Sequence, residues 1–371
     1  MTGPASEQHD SSAPESLRRR LEKVDRLLLI RLRSLGDSIL TLPLLEALHD
    51  WRPGLKLDML IESTFAPVFT RHPAVHEVWA LEEGRGKVAA ELSRAATLLR
   101  IFRRRYPAVL NLHGGPTSAL FTAASGARLR IGQGTFRQAR LYNVHLPPSS
   151  EIWGRSDLHT VEHQLSLIRW LGLPVPTAFR HGLRVGAEAR SRIHARFQQA
   201  GIMPGSYFHL QPTATLNTKQ WPEGRFARLG DMLTEETGLP VVFTAGSNET
   251  QTLVNVGQSA RRKHYYWADL SLDELFALIE ACRVFVANDS GPTHSAAALR
   301  KPVVAIWGSS NPAAWRPWGT EDYELVRSDL PCIPCPGYRC AVYGEPRCVL
   351  DITVEQVMDA CRRLLGRRRQ D

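Results

Sequence analysis

Apolar residues recur along the chain in short runs set between stretches of helical period. Residues 27–32 form such a run with a single charge, Arg31, inside it; the polar loop Arg33-Ser34-Leu35-Gly36-Asp37-Ser38 follows, and apolar positions from 39 to 51 repeat with helical period. Strand, loop and helix are predicted in that order. Residues 57–61 predict the next strand, and 108–112 another, which leads through His113-Gly114-Gly115-Pro116 into a helix. Between 131 and 155 the pattern fades into Gly, Pro and basic residues, and a helix over about 159–171 is followed by Pro174 and Pro176. Beyond these prolines the alternation restarts, with strands predicted at 207–210, 241–244, 284–287 and 303–306 and helices at 225–237, 273–281 and 294–299. Strands alternating with helices imply an α/β protein whose parallel sheets are covered on both faces. Two successive Rossmann-like halves emerge, with a boundary near 174–186. No period of 20 to 50 residues repeats, which excludes solenoids and propellers.

Length supports the same division, since 371 residues exceed what one core usually holds. The expected organisation is a disordered basic and polar tail over 1–24, domains over 25–180 and 181–350, and a C-terminal helix with a basic tail over 351–371. No apolar run approaches the roughly 20 residues of a bilayer span. The opening MTGPASEQHDSSAPES lacks the apolar centre of a signal peptide, so a cytoplasmic location is expected. A formal net charge of +9 and the triplets Arg18-Arg19-Arg20, Arg103-Arg104-Arg105 and Arg367-Arg368-Arg369 suit an anionic partner, although solvated faces explain such triplets as well. Nothing of the finger or RRM kind accompanies them, so nucleic acid is not expected as the partner.

Ligands of open α/β sheets bind beyond the carboxyl ends of the strands. Asp289-Ser290-Gly291-Pro292-Thr293-His294 stands at such an end and opens a helix, whose unpaired N–H groups and lack of a Cβ at Gly291 suit a diphosphate. A plain capped turn has the same residues. Lys219 lies in the polar loop 211–222 with Thr215 and Thr218, a point charge and hydroxyls fit for phosphate oxygens. Glu249 follows the strand 241–244 and is placed either to accept from ribose hydroxyls or to complement a helix start. Asp37 directly follows Gly36 at the mouth of the first half, as a general base or as the N-cap of the helix 39–51. Cys332, Cys335, Cys340 and Cys348 fall within seventeen residues and are candidate ligands for structural zinc or an iron–sulfur cluster, with a reduced loop as the alternative.

The stretches RLRSLGDSILTLPLLEAL, PTATLNTKQWPEGRFARLG, VANDSGPTHSAAALRKPVVAIWGSSNP and CIPCPGYRCAVYGEPRCVLDITVEQV, in this order, resemble glycosyltransferase family 9, the ADP-heptose:lipopolysaccharide heptosyltransferases. The resemblance runs from about 25 to 365. It implies a GT-B fold, two Rossmann-like domains facing across a cleft, with acceptor bound by the first and nucleotide sugar by the second. It also implies inverting transfer without a metal or other cofactor. Asp37 then stands as the catalytic base, Lys219 and Thr215 as phosphate and leaving-group contacts, Glu249 as the ribose acid, and Asp289, Ser290, Gly291 and His294 as the diphosphate and sugar loop. Arg33, Gly36 and His113 are expected on the acceptor side of the cleft. Ala214 departs from the second threonine of some members and removes one hydroxyl contact. The expected partners are a nucleotide-sugar donor, ADP-heptose first among them, an anionic glycolipid acceptor and the inner membrane surface, touched peripherally. Two other readings are a silent nucleotide-sugar or glycan-binding paralogue and a GT-B-like epimerase; Asp37 and Lys219 are both present, against the former, and the latter would need an acid/base pair such as His113 and His294.

Overall fold

The computed structural model describes residues 12–82, 87–335 and 337–367. Its first half runs α1 (Ser12–Glu22), β1 (Arg26–Ile30), α2 (Leu35–Ile39), α3 (Leu42–Trp51), β2 (Lys56–Glu62), α4 (Pro67–Thr70), β3 (Glu77–Leu81), α5 (Lys87–Arg104), β4 (Ala108–Asn111), α6 (Pro116–Ala124), β5 (Leu129–Gln133), β6 (Val144–Leu146), α7 (Ser149–Trp153) and α8 (Thr160–Trp170). After a linker come α9 (Ala187–Ala200), β7 (Phe208–Gln211), α10 (Glu223–Thr237), β8 (Val241–Thr244), α11 (Thr250–Ser259), β9 (Tyr265–Trp267), α12 (Leu272–Ala281), β10 (Val284–Asn288), α13 (Gly291–Ala298), β11 (Val303–Trp307), α14 (Pro312–Trp315), β12 (Tyr323–Arg327), α15 (Arg347–Leu350) and α16 (Val354–Arg367).

Each half builds a six-stranded sheet, in the order β3-β2-β1-β4-β5-β6 and, counted from the other edge, β9-β8-β7-β10-β11-β12. Both are parallel throughout and share one topology. The central strands are buried on both faces, which is why they read as continuous apolar runs rather than alternating ones. The strand order reverses between β1 and β4 in the first sheet and between β7 and β10 in the second. Those two crevices are where such sheets bind ligands, and every loop that carries a candidate residue, except those of Glu249 and of the four cysteines, leaves from one of these four strands.

Several elements depart from expectation. Residues 12–22, expected within a disordered tail, form α1, because Leu17 and Leu21 are spaced by four and both are buried in the first domain's core. The rest of that tail, 1–11, and the basic end 368–371 lie outside the described residues. The helix expected over 39–51 is broken into α2 and α3. The faded stretch 131–155 holds β6 and much of β5, short strands that carry Arg130, Gln133 and His145. One apolar cluster runs from β1 and α3 through the linker residues Phe179 and Leu183 to α9 and α12, so the two domains share a core. Among the described residues no helix is long and apolar enough to cross a membrane.

Candidate functional site

Arg31 follows β1 and is almost wholly buried; its guanidinium donates to the Leu112 carbonyl and pairs with Asp37. Ser34 Oγ donates to the other Asp37 oxygen at 3.2 Å. Of the two readings of Asp37, the N-cap does not hold, since α2 begins at Leu35 with Ser34 as its N-cap. Its carboxylate is held from two sides and keeps a quarter of its side-chain surface exposed (25%).

Facing it, β10 ends at Asn288 and the turn at Asp289 and Ser290 opens α13. Lys219, in a 3-10 turn over Asn217–Lys219, pairs with Asp289 at 2.7 Å. Buried Asn288 fixes both ends of the Lys219 loop: its amide donates to the Pro212 carbonyl at 2.9 Å and its oxygen accepts from the Trp221 N–H at 3.1 Å. The Thr218 carbonyl accepts from the Ser309 N–H at 3.3 Å and from the Cys348 thiol at 3.5 Å, which braces the loop from behind.

The domains touch where α2 packs on α13. Contact this close needs glycine on both sides: a Cβ on Gly291 would lie 2.8 Å from Leu35 Cβ, and one on Gly36 3.0 Å from His294 Cδ2. His294 is thereby buried within electrostatic reach of Asp37, Asp289 and Lys219. Burial pushes its pKa below the ordinary imidazole value, and Lys219 adds to this while the two carboxylates oppose it. His294 Nδ1 and Ser290 Oγ are buried with no hydrogen-bond partner among the described residues.

Two cavities flank the loop between β1 and α2. One, of about 500 Å³, lies between the domains and is lined by Ser34, Leu35 and Gly36 from the first and by Thr215, Glu249, Ser290 and Gly291 from the second. Glu249 is the N-cap residue of α11 and accepts from the Gly246 N–H at 3.1 Å. The other cavity, of about 330 Å³, is lined by Arg33, His113, Glu62, Arg94 and Thr117. His113 has its pKa lowered by burial first and then by Arg31 and Arg33, against the pull of Asp37. Asp37 is therefore within electrostatic reach of both His113 and His294.

Comparison with known proteins decides the lineage. The model of glycosyltransferase family 9 (heptosyltransferase) matches residues 95–344. The chain belongs to glycosyltransferase family 9. A lipopolysaccharide heptosyltransferase 1 of Pseudomonas aeruginosa is 29% identical over 346 residues, 89% of this chain and 92% of that protein. The solved E. coli ADP-heptose lps heptosyltransferase II superposes with a TM-score of 0.77 at 23% identity, over 93% of this chain and 99% of that one. An E. coli heptosyltransferase solved with ADP-2-deoxy-2-fluoro heptose gives 0.67 at 20%, over 91% and 99%. The fold is GT-B, and the chain is a glycosyltransferase of the lipopolysaccharide heptosyltransferase type.

Of the expected site residues in this family 9 enzyme, Gly36, Thr215, Glu249, Ser290 and Gly291 line the interdomain cavity and Arg33 and His113 the other, while Asp37, Lys219, Asp289 and His294 line neither. The four cysteines of the 332–348 loop are free thiols. Cys348 is buried, and its thiol is pushed up to about 11 by burial first and then by Cys335 and Cys340. Among the described residues the sulfurs do not converge into a ligand set; Asp58, His76 and Glu77 do, at the amino ends of β2 and β3, where Arg26 and Tyr106 already bind Asp58 at 3.0 and 2.6 Å. Sequence reasoning did not single out Arg31, Ser34 or Asn288, whose bonds hold Asp37 and the Lys219 loop in place. Arg31 did leave a signal, a lone charge inside an apolar strand run that burial obliges to find a partner.

Proposed function

We propose that the enzyme transfers heptose from ADP-heptose to a sugar hydroxyl of an anionic lipopolysaccharide-core or related envelope glycolipid, with inversion at the anomeric carbon. The acceptor enters from the cavity of Arg33 and His113, where Arg33 offers a charge to its phosphate groups, and the donor fills the interdomain cavity. Asp37 takes the proton of the attacking hydroxyl as that oxygen bonds to the anomeric carbon. The bond from that carbon to the diphosphate oxygen breaks, its electron pair leaves with ADP, and the transition state is oxocarbenium-like by analogy with glycoside hydrolysis. Lys219 and the Gly291 N–H at the start of α13 offset the charge gathering on the diphosphate. Glu249 accepts from the ribose hydroxyls, Thr215 contacts phosphate, and Ser290 and His294 bind diphosphate and sugar. Every step falls to protein side chains and backbone, and the cysteine loop serves as a brace behind Lys219.

The observation that carries this reading is the position of Asp37, held by Arg31 and Ser34 directly after the loop that gives Arg33 to one cavity and Ser34, Leu35 and Gly36 to the other. The names of the relatives, lipopolysaccharide heptosyltransferases and one solved with an ADP-heptose analogue, favour the donor and acceptor classes. Acceptor-dependent release of ADP from ADP-heptose is the test. Release only when a lipopolysaccharide-core acceptor is present is expected; equal release without acceptor, or faster release from a UDP-sugar, overturns the assignment.

A further inference from the structure

Helix α5 carries two apolar stripes. Thr97 and Ile101 face inward, with Ile101 in the core against the first sheet. On the opposite side Val88, Leu92, Ala95, Leu99 and Phe102 recur at spacings of four and three, so they share one face turned to solvent. Val88 is 75% exposed, Leu92 66%, Leu99 47% and Phe102 59%, and Leu120 on the adjoining α6 adds 53%. The other large exposed apolar side chains are scattered over the second domain and the cysteine loop.

The surroundings of this stripe are basic. Arg100, Arg103 and Arg105 are exposed beside its C-terminal half, and Arg137 and Arg140 are exposed at the 3-10 turn that packs beside α6. The one acid on α5, Glu91, is paired with Arg94 at 2.7 Å. An apolar stripe rimmed by arginines matches an anionic lipid surface, with the side chains in the acyl boundary and the guanidinium groups at the headgroups. The same helix reaches the acceptor site, since Ala90 and Arg94 line the cavity of Arg33 and His113.

We propose that the exposed face of α5, with Leu120 and the neighbouring arginines, docks the enzyme on an anionic bilayer and sets the acceptor cavity beside the headgroups. The orientation rests on the glycolipid reading above; docking itself is measured without donor or acceptor, so the two stand or fall separately. Full-length protein is sedimented with vesicles of phosphatidylethanolamine and phosphatidylglycerol and with vesicles of phosphatidylcholine. Binding to the anionic vesicles that weakens with salt is expected, with a loss of about tenfold or more in Leu92→Glu/Phe102→Glu and none in Met203→Glu, an exposed site elsewhere. A charge-reversed variant, Arg103→Glu/Arg140→Glu, leaves the apolar stripe intact and is expected to lose anionic binding too. Circular dichroism identifies folded variants, and turnover on a water-soluble acceptor is expected to be unchanged in them. Equal vesicle binding by wild type and both variants overturns the proposal, as does absence of binding. A wild-type dimer in ultracentrifugation that Leu92→Glu/Phe102→Glu converts to monomer, with no vesicle binding by either, would assign the face to a second copy of the chain instead.

Discussion

Asp37 and Lys219 each arrive at the cleft already paired, the first with Arg31 and the second with Asp289. Pairing holds each charge in one place before substrate enters, which is what the proposed transfer asks of Asp37 as base and of Lys219 as leaving-group cation. The histidines around them are arranged otherwise. His159 accepts from the Val161 N–H at Nδ1, so Nε2 carries the proton and donates to the Arg316 carbonyl at 2.9 Å. Burial pushes its pKa down to about 4, pushes that of His209 down to about 3, and lowers that of His294. In the unfolded chain these imidazoles return to about 6.5 and take up protons that the folded state refuses. Stability is therefore full above about pH 6.5 and falls toward pH 4, with His159 alone contributing on the order of 3 kcal/mol to the loss. Denaturant titrations between pH 7.5 and 4.5 are expected to show that decline. A stability that stays flat over this interval contradicts the neutral burial of these rings.

At the scale of elements, the contact of α2 with α13 decides whether the two half-sites meet. Gly291→Ala places a methyl group against Leu35 Cβ, which sits next to the backbone and has no rotamer that yields. The expected result is a fall in kcat/KM of about tenfold or more with little change in Tm, because the strain forces the cleft open rather than unfolding either domain. Wild-type turnover by this variant would show that the contact does not govern catalysis. The loops of this contact were legible in the sequence because glycine, acid and helix start lie within a few adjacent residues, as in Gly36-Asp37 and Asp289-Ser290-Gly291. The missed elements have weaker local signals. In α9 only Ala189, Ile193 and Phe197 are buried, and in α1 the buried pair Leu17 and Leu21 stands among arginines and glutamates. Helix α5 also escaped, since apolar residues on opposite sides give no single stripe to read. Asn288 gains its role from a carbonyl and an N–H group distant in sequence, which no local pattern encodes.

Across the whole molecule the domains are fastened at several points away from the chemistry. Glu46, buried on α3, accepts from the N–H groups of Arg180, His181 and Gly182 at 2.7, 2.9 and 3.0 Å, with His72 Nε2 at 3.3 Å. Burial raises its pKa, yet His72 and the three N–H groups outweigh that and hold the carboxyl below its ordinary value. The linker is thus tied to the first domain, while Arg71 of the first domain binds Asp273 of the second through two bonds of 2.7 and 3.0 Å. These ties set the approach of the Asp37 loop to the α13 loop, where the proposed transfer needs Asp37 as its base. Turnover of Asp37→Asn, measured together with its affinity for ADP, tests that most directly. Loss of transfer by about a thousandfold or more with ADP affinity within about twofold of wild type is expected; transfer at a near-wild-type rate would contradict the assignment of Asp37 as the base.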